Sequence, residues 1–139
     1  MVHIGRILAI DYGVKNIGLA YCDELGVTVQ PLPSIPNGGA RDLVTKLRLT
    51  IQTLDIQELV IGLPINMDGT RGDAVIRMER LMATLKAGLK IPLSGVDERL
   101  STIEAMEFWQ GMNRKQQKRY RTVDSLAAAL ILERFLKET

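Results

Sequence analysis

Residues 6–12, RILAIDY, are apolar and β-favouring, and after Gly13-Val14-Lys15-Asn16 a second apolar run, IGLAYC, follows at once. Two such runs joined by a short turn predict a β-hairpin. A third strand is expected from Val27 to Leu32, ended by Pro31, Pro33 and Pro36, whose rings remove amide donors. From Ala40 to Leu54 the apolar residues Leu43, Leu47, Ile51 and Leu54 recur at helical spacing and predict an amphipathic helix. ELVIGLP (58–64) is a short apolar run, as expected of a buried central strand. The loop INMDGTRG (65–72) leads into a second helix whose face is Val75, Met78, Leu81, Met82, Leu85 and Leu89, and IPLSGVDE (91–98) reads as the fifth strand.

Ser101-Thr102-Ile103-Glu104 matches a capping box, so a third helix is expected at the end of that strand. Thr122 can cap a last helix with Val123, Leu126, Ala127, Leu130, Ile131 and Phe135 as its buried stripe. The order βββαβαβαα implies an α/β fold with a mixed five-stranded sheet. An antiparallel meander of the first three strands is continued by two parallel strands, with helices on both faces. With no repeat or linker to divide it, residues 1–139 read as one domain.

Composition narrows the chemistry. No apolar run approaches the roughly 20 residues needed to cross a bilayer, and no signal-peptide pattern opens the sequence, so a cytosolic protein without a membrane partner is expected. Cys22 is the single cysteine and His3 the single histidine. A zinc site and a metal-independent nuclease relying on histidine are therefore both disfavoured, and any metal must be held by oxygen. A net charge of +2 does not by itself indicate a nucleic-acid binder. Placement offers a candidate, because RKQQKRYR (114–121) carries Arg114, Lys115, Lys118, Arg119 and Arg121 and no acid, a segment that reads either as a phosphate-backbone contact or as a solvated loop. Tyr120 within it could stack on an exposed base.

Three acids fall at element ends. Asp11 closes an apolar strand, where a lone carboxylate is costly to desolvate unless paired or metal-bound. Asp97-Glu98 ends the last strand, and alternation sends the two side chains to opposite faces, so only one can readily join Asp11. Asp124 lies in the first turn of the last helix. Each also has a structural reading: Asp11 as a turn residue, Glu98 as a surface partner of Arg99, Asp124 as a helix-dipole partner. If they converge, they suit hard divalent cations, which can activate water and neutralise charge during phosphodiester hydrolysis. Lys15 and Arg99 are candidate phosphate contacts. So are Asn66 and Arg71, in a loop that opens a helix N-terminus. His3, Cys22 and Trp109 read as structural.

The strings AIDYGVKNIGLA (9–20), VIGLPINMDGT (60–70), DERLST (97–102) and TVDSLAAALIL (122–132), in this order and spacing, closely resemble the YqgF/RuvX family. Those are small bacterial proteins of the ribonuclease H-like superfamily, related to Holliday-junction resolvases and regarded as nucleases that mature the 5′ end of pre-16S rRNA. The resemblance implies a ribonuclease H-like sheet and a Mg²⁺ or Mn²⁺ site held by Asp11, Glu98 and Asp124, with Asp97 as second choice. It implies nucleic acid as partner, pre-rRNA ahead of branched DNA, together with association with the ribosome. Three rivals stay open: a resolvase acting on DNA junctions, a non-catalytic RNA-binding factor in ribosome assembly or transcription, and an ATP-binding module. The last is disfavoured because the chain has no room for a second lobe and lacks G-x-x-x-x-G-K-[ST].

Overall fold

A computed structural model describes residues 5–63, 73–97, 107–120 and 122–138. Strands β1 (Arg6–Tyr12) and β2 (Asn16–Cys22) form the expected hairpin, with Asp11 opposite Gly18 and Ala9 opposite Ala20. Strand β3 (Val29–Pro36) pairs antiparallel with β2, whereas β4 (Ile56–Leu63) runs parallel to β1 and β5 (Leu93–Asp97) parallel to β4. The sheet order is β3-β2-β1-β4-β5, the mixed arrangement the pattern implies. The helices are α1 (Ala40–Leu54), α2 (Asp73–Leu89), α3 (Arg114–Tyr120) and α4 (Val123–Glu138), with residues 107–111 also helical. Among the described residues no helix is long and apolar enough to cross a membrane.

Two differences from expectation have clear causes. Strand β3 continues through Pro31, Pro33 and Pro36 rather than ending at them. It lies at the sheet edge, where a missing amide donor faces no further strand. The basic segment is itself a short helix, α3. Asn113 and Gln116 cap it reciprocally, each backbone N–H donating to the other's side-chain oxygen at 2.9–3.0 Å.

Alternation along the strands divides the core. Leu8, Ile10, Ile17, Leu19, Leu59 and Ile61 pack with Leu43, Leu47, Leu81 and Leu85 of α1 and α2. On the other face, Ile7, Ala9, Val60 and Val96 share a cluster with Ile131 and Leu132 of α4, and Ala20 packs with Ala128 and Ala129. Helix α4 is buried more broadly than the expected stripe: Ala128, Ala129 and Leu132 are as inaccessible as Leu126 and Ile131. It lies across β1, β2, β3 and β4.

Candidate active site

The ends of β1, β4 and β5 share one edge of the sheet. The β1–β2 turn sits there, clamped by Asn37 at the entrance to α1. The Asn37 amide donates to the Gly13 carbonyl at 2.8 Å, its backbone N–H donates to the Lys15 carbonyl at 2.8 Å, and its Oδ1 accepts from the Tyr12 hydroxyl at 3.1 Å. The penultimate residue of this apolar strand, just before the clamped turn, is Asp11, only 9% exposed.

Cross-strand pairing gives Asp11 its direction. Directly opposed residues of an antiparallel pair project to the same face, so Asp11 shares the face of Ala9, Ala20 and Gly18. That face is covered by α4, whose backbone rests on Gly18. A Cβ at Gly18 would fall inside contact distance of the Asp124 carbonyl and lie 3.0 Å from the Ser125 nitrogen. Glycine is required here by close approach of two backbones. The opening turn of α4, carrying Asp124, is thereby held against the residue opposite Asp11.

Local chemistry fixes that turn. Thr122 is the N-cap, as expected: its Oγ1 accepts the Ser125 N–H at 3.1 Å. The Thr122 hydroxyl donates to Ser125 Oγ at 3.1 Å, and the fully buried Ser125 hydroxyl donates to the Leu32 carbonyl of β3 at 2.6 Å. Both hydroxyls of this Thr122–Ser125–Leu32 relay are hydrogen-bonded, and α4 is tied to the sheet at its first turn. Desolvation by burial raises the Asp124 carboxyl above the ordinary carboxylate range. A nearby cation would reverse that shift.

Asp11 and Asp124 are thus brought to one face at one sheet edge. Glu98, and with it Asn66, Arg71, Arg99 and Arg121, lie outside the described residues; of Asp97 only the backbone is described. Among the described residues no group of three or more His, Cys, Asp or Glu side chains could hold a metal ion. Lys15 is exposed in the turn after Asp11. Arg114, Lys115, Lys118 and Arg119 are exposed along one side of α3, while Gln117 is turned inward and donates to the Trp109 carbonyl at 2.8 Å. Tyr120 is not a free stacking platform: its half-buried ring packs with Ala128 and Ala129, and the Arg119 guanidinium lies 5.8 Å from its centroid. Trp109 and Cys22 are structural, Trp109 packing with Leu126 and Ala127 and Cys22 Sγ accepting the Ile7 N–H at 3.4 Å.

Gly18, Asn37 and Ser125 were not singled out by sequence reasoning. Only Asn37, between Pro36 and two glycines, carried a turn signal; Gly18 and Ser125 acquire their roles from contacts between distant segments.

The model of the family described as "RuvX: Holliday junction resolvase" matches residues 5–138. The chain belongs to the RuvX family. Relatives carry the name "Putative pre-16S rRNA nuclease". One from Syntrophus aciditrophicus is 41% identical over 94% of this chain and 87% of its own length, and one from Clostridioides difficile is 35% identical over 95% and 94%. Two solved structures share the RuvX chain's fold at about one-tenth identity. Fowlpox virus resolvase with Holliday junction DNA has a TM-score of 0.58, 9% identity and coverage of 96% of this chain and 97% of that one. RuvC of T. thermophilus with a Holliday junction substrate has a TM-score of 0.54, 10% identity and coverage of 97% and 96%. That similarity extends the ribonuclease H-like reading of the sheet to this RuvX chain as a fold, and no further.

Proposed function

We propose that this chain is one cytoplasmic nuclease domain that hydrolyses phosphodiester bonds in structured RNA, maturing the 5′ end of pre-16S rRNA in association with ribosome precursors. The observation that carries the reading is the approach of the α4 backbone at Asp124 to Gly18, the residue opposite Asp11, in a family whose relatives are named for this activity. Glu98 completes the proposed set.

The donor set fits Mg²⁺ or Mn²⁺. It offers hard carboxylate oxygens, one buried at a strand end and one desolvated in a helix's first turn. Held by Asp11, Glu98 and Asp124, such cations would supply a water of lowered pKa and positive charge to balance the phosphorane and the departing oxygen. The rest falls to the chain's own groups. Buried Asp11 anchors the site, the Thr122–Ser125–Leu32 bonds hold Asp124 in place, and the Asn37 clamp fixes Lys15 beside the strand end to take a phosphate. Arg114, Lys115, Lys118 and Arg119 offer sequence-independent backbone contacts. Asn66, Arg71, Arg99 and Arg121 are proposed substrate contacts on sequence grounds.

The family's description favours a second reading, a resolvase acting on DNA junctions. Cleavage of a 5′-extended pre-16S RNA and of a four-way DNA junction, with Mg²⁺ or with EDTA, separates the two. The expected outcome is metal-dependent RNA cleavage lost in Asp11→Asn. Cleavage of the junction alone would favour the resolvase. Full RNA processing by Asp11→Asn would overturn the catalytic reading in favour of a binding factor.

A further inference from the structure

On the opposite face of the sheet from Asp11, at the same strand end, a cavity of about 460 Å³ opens between the β1–β2 turn, the start of α1 and the middle of α2. Its walls include Tyr12, Val14, Met78 and Leu81, with Arg77 and Arg80 one helical turn apart on α2. The volume lies within the roughly 300–1,000 Å³ of sites that enclose small ligands. Its chemistry is two-sided. Most of the lining is apolar, yet both arginines are exposed, and among the described residues neither is paired with a carboxylate. Val14 is 95% exposed in a turn that the Asn37 bonds hold in place. An apolar side chain held in water at a cavity rim gains free energy from a ligand that covers it.

We infer that this cavity receives one unpaired nucleotide of the nucleic-acid substrate, the base against Tyr12, Val14 and Leu81 and the adjoining phosphate on Arg77 and Arg80. A nucleotide matches the lining, since it joins a flat, weakly polar base to a full negative charge. A base still paired in a duplex cannot enter, so the site selects a single-stranded flank. Continuity with the acids gives its place in the reaction. Tyr12 follows Asp11 directly and projects to the other face, so a strand with one phosphate at Asp11 reaches the cavity by passing over the strand end. A second groove, sharing Thr84 and lined by Arg41 and Arg48, continues from it between α1 and α2 and extends the cationic track.

The inference rests on the nuclease reading for the identity of its ligand, and its test is independent of the metal. Fluorescence anisotropy in EDTA would compare a labelled RNA hairpin carrying a short single-stranded extension with the same hairpin blunt-ended. Arg77→Ala/Arg80→Ala is expected to weaken binding of the extended hairpin about tenfold and to leave the blunt one within about twofold. The salt dependence of extended-hairpin binding should become shallower by about 0.7 in logarithmic slope, for one lost single-strand phosphate contact. Ala40→Leu, which fills the cavity without changing charge, should produce the same selective loss with an unchanged salt slope. Equal weakening of both hairpins, or undiminished binding of the extended one, would overturn the inference. Cleavage by Asp11→Asn is read separately, so the nuclease reading can fail while selective binding of the extended hairpin stands.

Discussion

The two faces of the sheet are built from side chains of different size. Toward α1 and α2 the strands present Leu8, Ile10, Ile17, Leu19, Leu59 and Ile61; on the other face Ile7, Ala9, Val60 and Val96 meet Ile131 and Leu132, but toward the first turns of α4 the strands present only Gly18, beneath Asp124 and Ser125, and Ala20, against Ala128 and Ala129. Bulky aliphatic groups each remove a large apolar area from water and supply most of the stabilisation. Alanine and glycine bury little, but they let a helix backbone settle directly on the sheet. The first face is therefore chiefly a core, with a cavity at its open end, and the second lets the opening turn of α4, which carries Asp124, rest on Gly18 opposite Asp11.

That contrast can be broken by substitution. The largest expected effect is on chemistry: Asp11→Asn should lower the rate of metal-dependent RNA cleavage by about 10²–10³-fold or more, the scale of removing one group that organises transition-state charge. On the opposite face, Leu85→Ala should cost about 2–5 kcal/mol of stability in urea unfolding. Its cleavage rate per folded molecule should stay near wild type, because Leu85 is fully buried against α1 and far from the α4 contact.

A matched pair of glycines sharpens the comparison. A Cβ at Gly88 would meet Val44 Cγ1 at 2.8 Å, where α1 and α2 approach, and at Gly18 it would meet the α4 backbone. Gly18→Ala should destabilise by about 1–3 kcal/mol and weaken Mn²⁺ binding as α4 is displaced. Gly88→Ala should cost less, since a side chain can give way, and should leave Mn²⁺ binding unchanged.

Ser125→Ala removes the buried hydroxyl that donates to the half-buried Leu32 carbonyl and should cost about 1–2 kcal/mol in the same unfolding experiment. The smallest effect concerns Asp124. Because burial raises its pKa, the protonated form is favoured in the fold. This contribution to stability is full below the ordinary carboxylate range and is lost as pH rises through the folded-state pKa. In EDTA, the Tm of Asp124→Asn relative to wild type should therefore rise from acid to neutral pH.

Much of the architecture was legible because it is local. The hairpin, α1, the apolar β4 and the Thr122 cap follow from periodicity and capping residues that lie close together in the chain. Strand β3 was cut short because its tolerance of three prolines depends on edge position, which is a property of the assembled sheet. Helix α3 was hidden by its charge, although Asn113 and Gln116 spelled out its start. Asp11 and Asp124 could be chosen as acids at element ends. The docking of α4 opposite Asp11 could not, because it depends on Gly18 admitting the backbone of a helix from the far end of the chain. The cavity likewise joins a turn with two helices and leaves no signature in any one segment.

In the proposed mechanism Asp11 and Asp124 serve one cation. Mn²⁺ titrated into metal-free protein, with the free ion followed by electron paramagnetic resonance, tests this without any nuclease assay. Asp11→Asn and Asp124→Asn should each weaken binding by about tenfold or more, and the double variant should lose little beyond the worse single one. Wild-type affinity in either single variant, or fully additive losses in the double, would contradict a shared site.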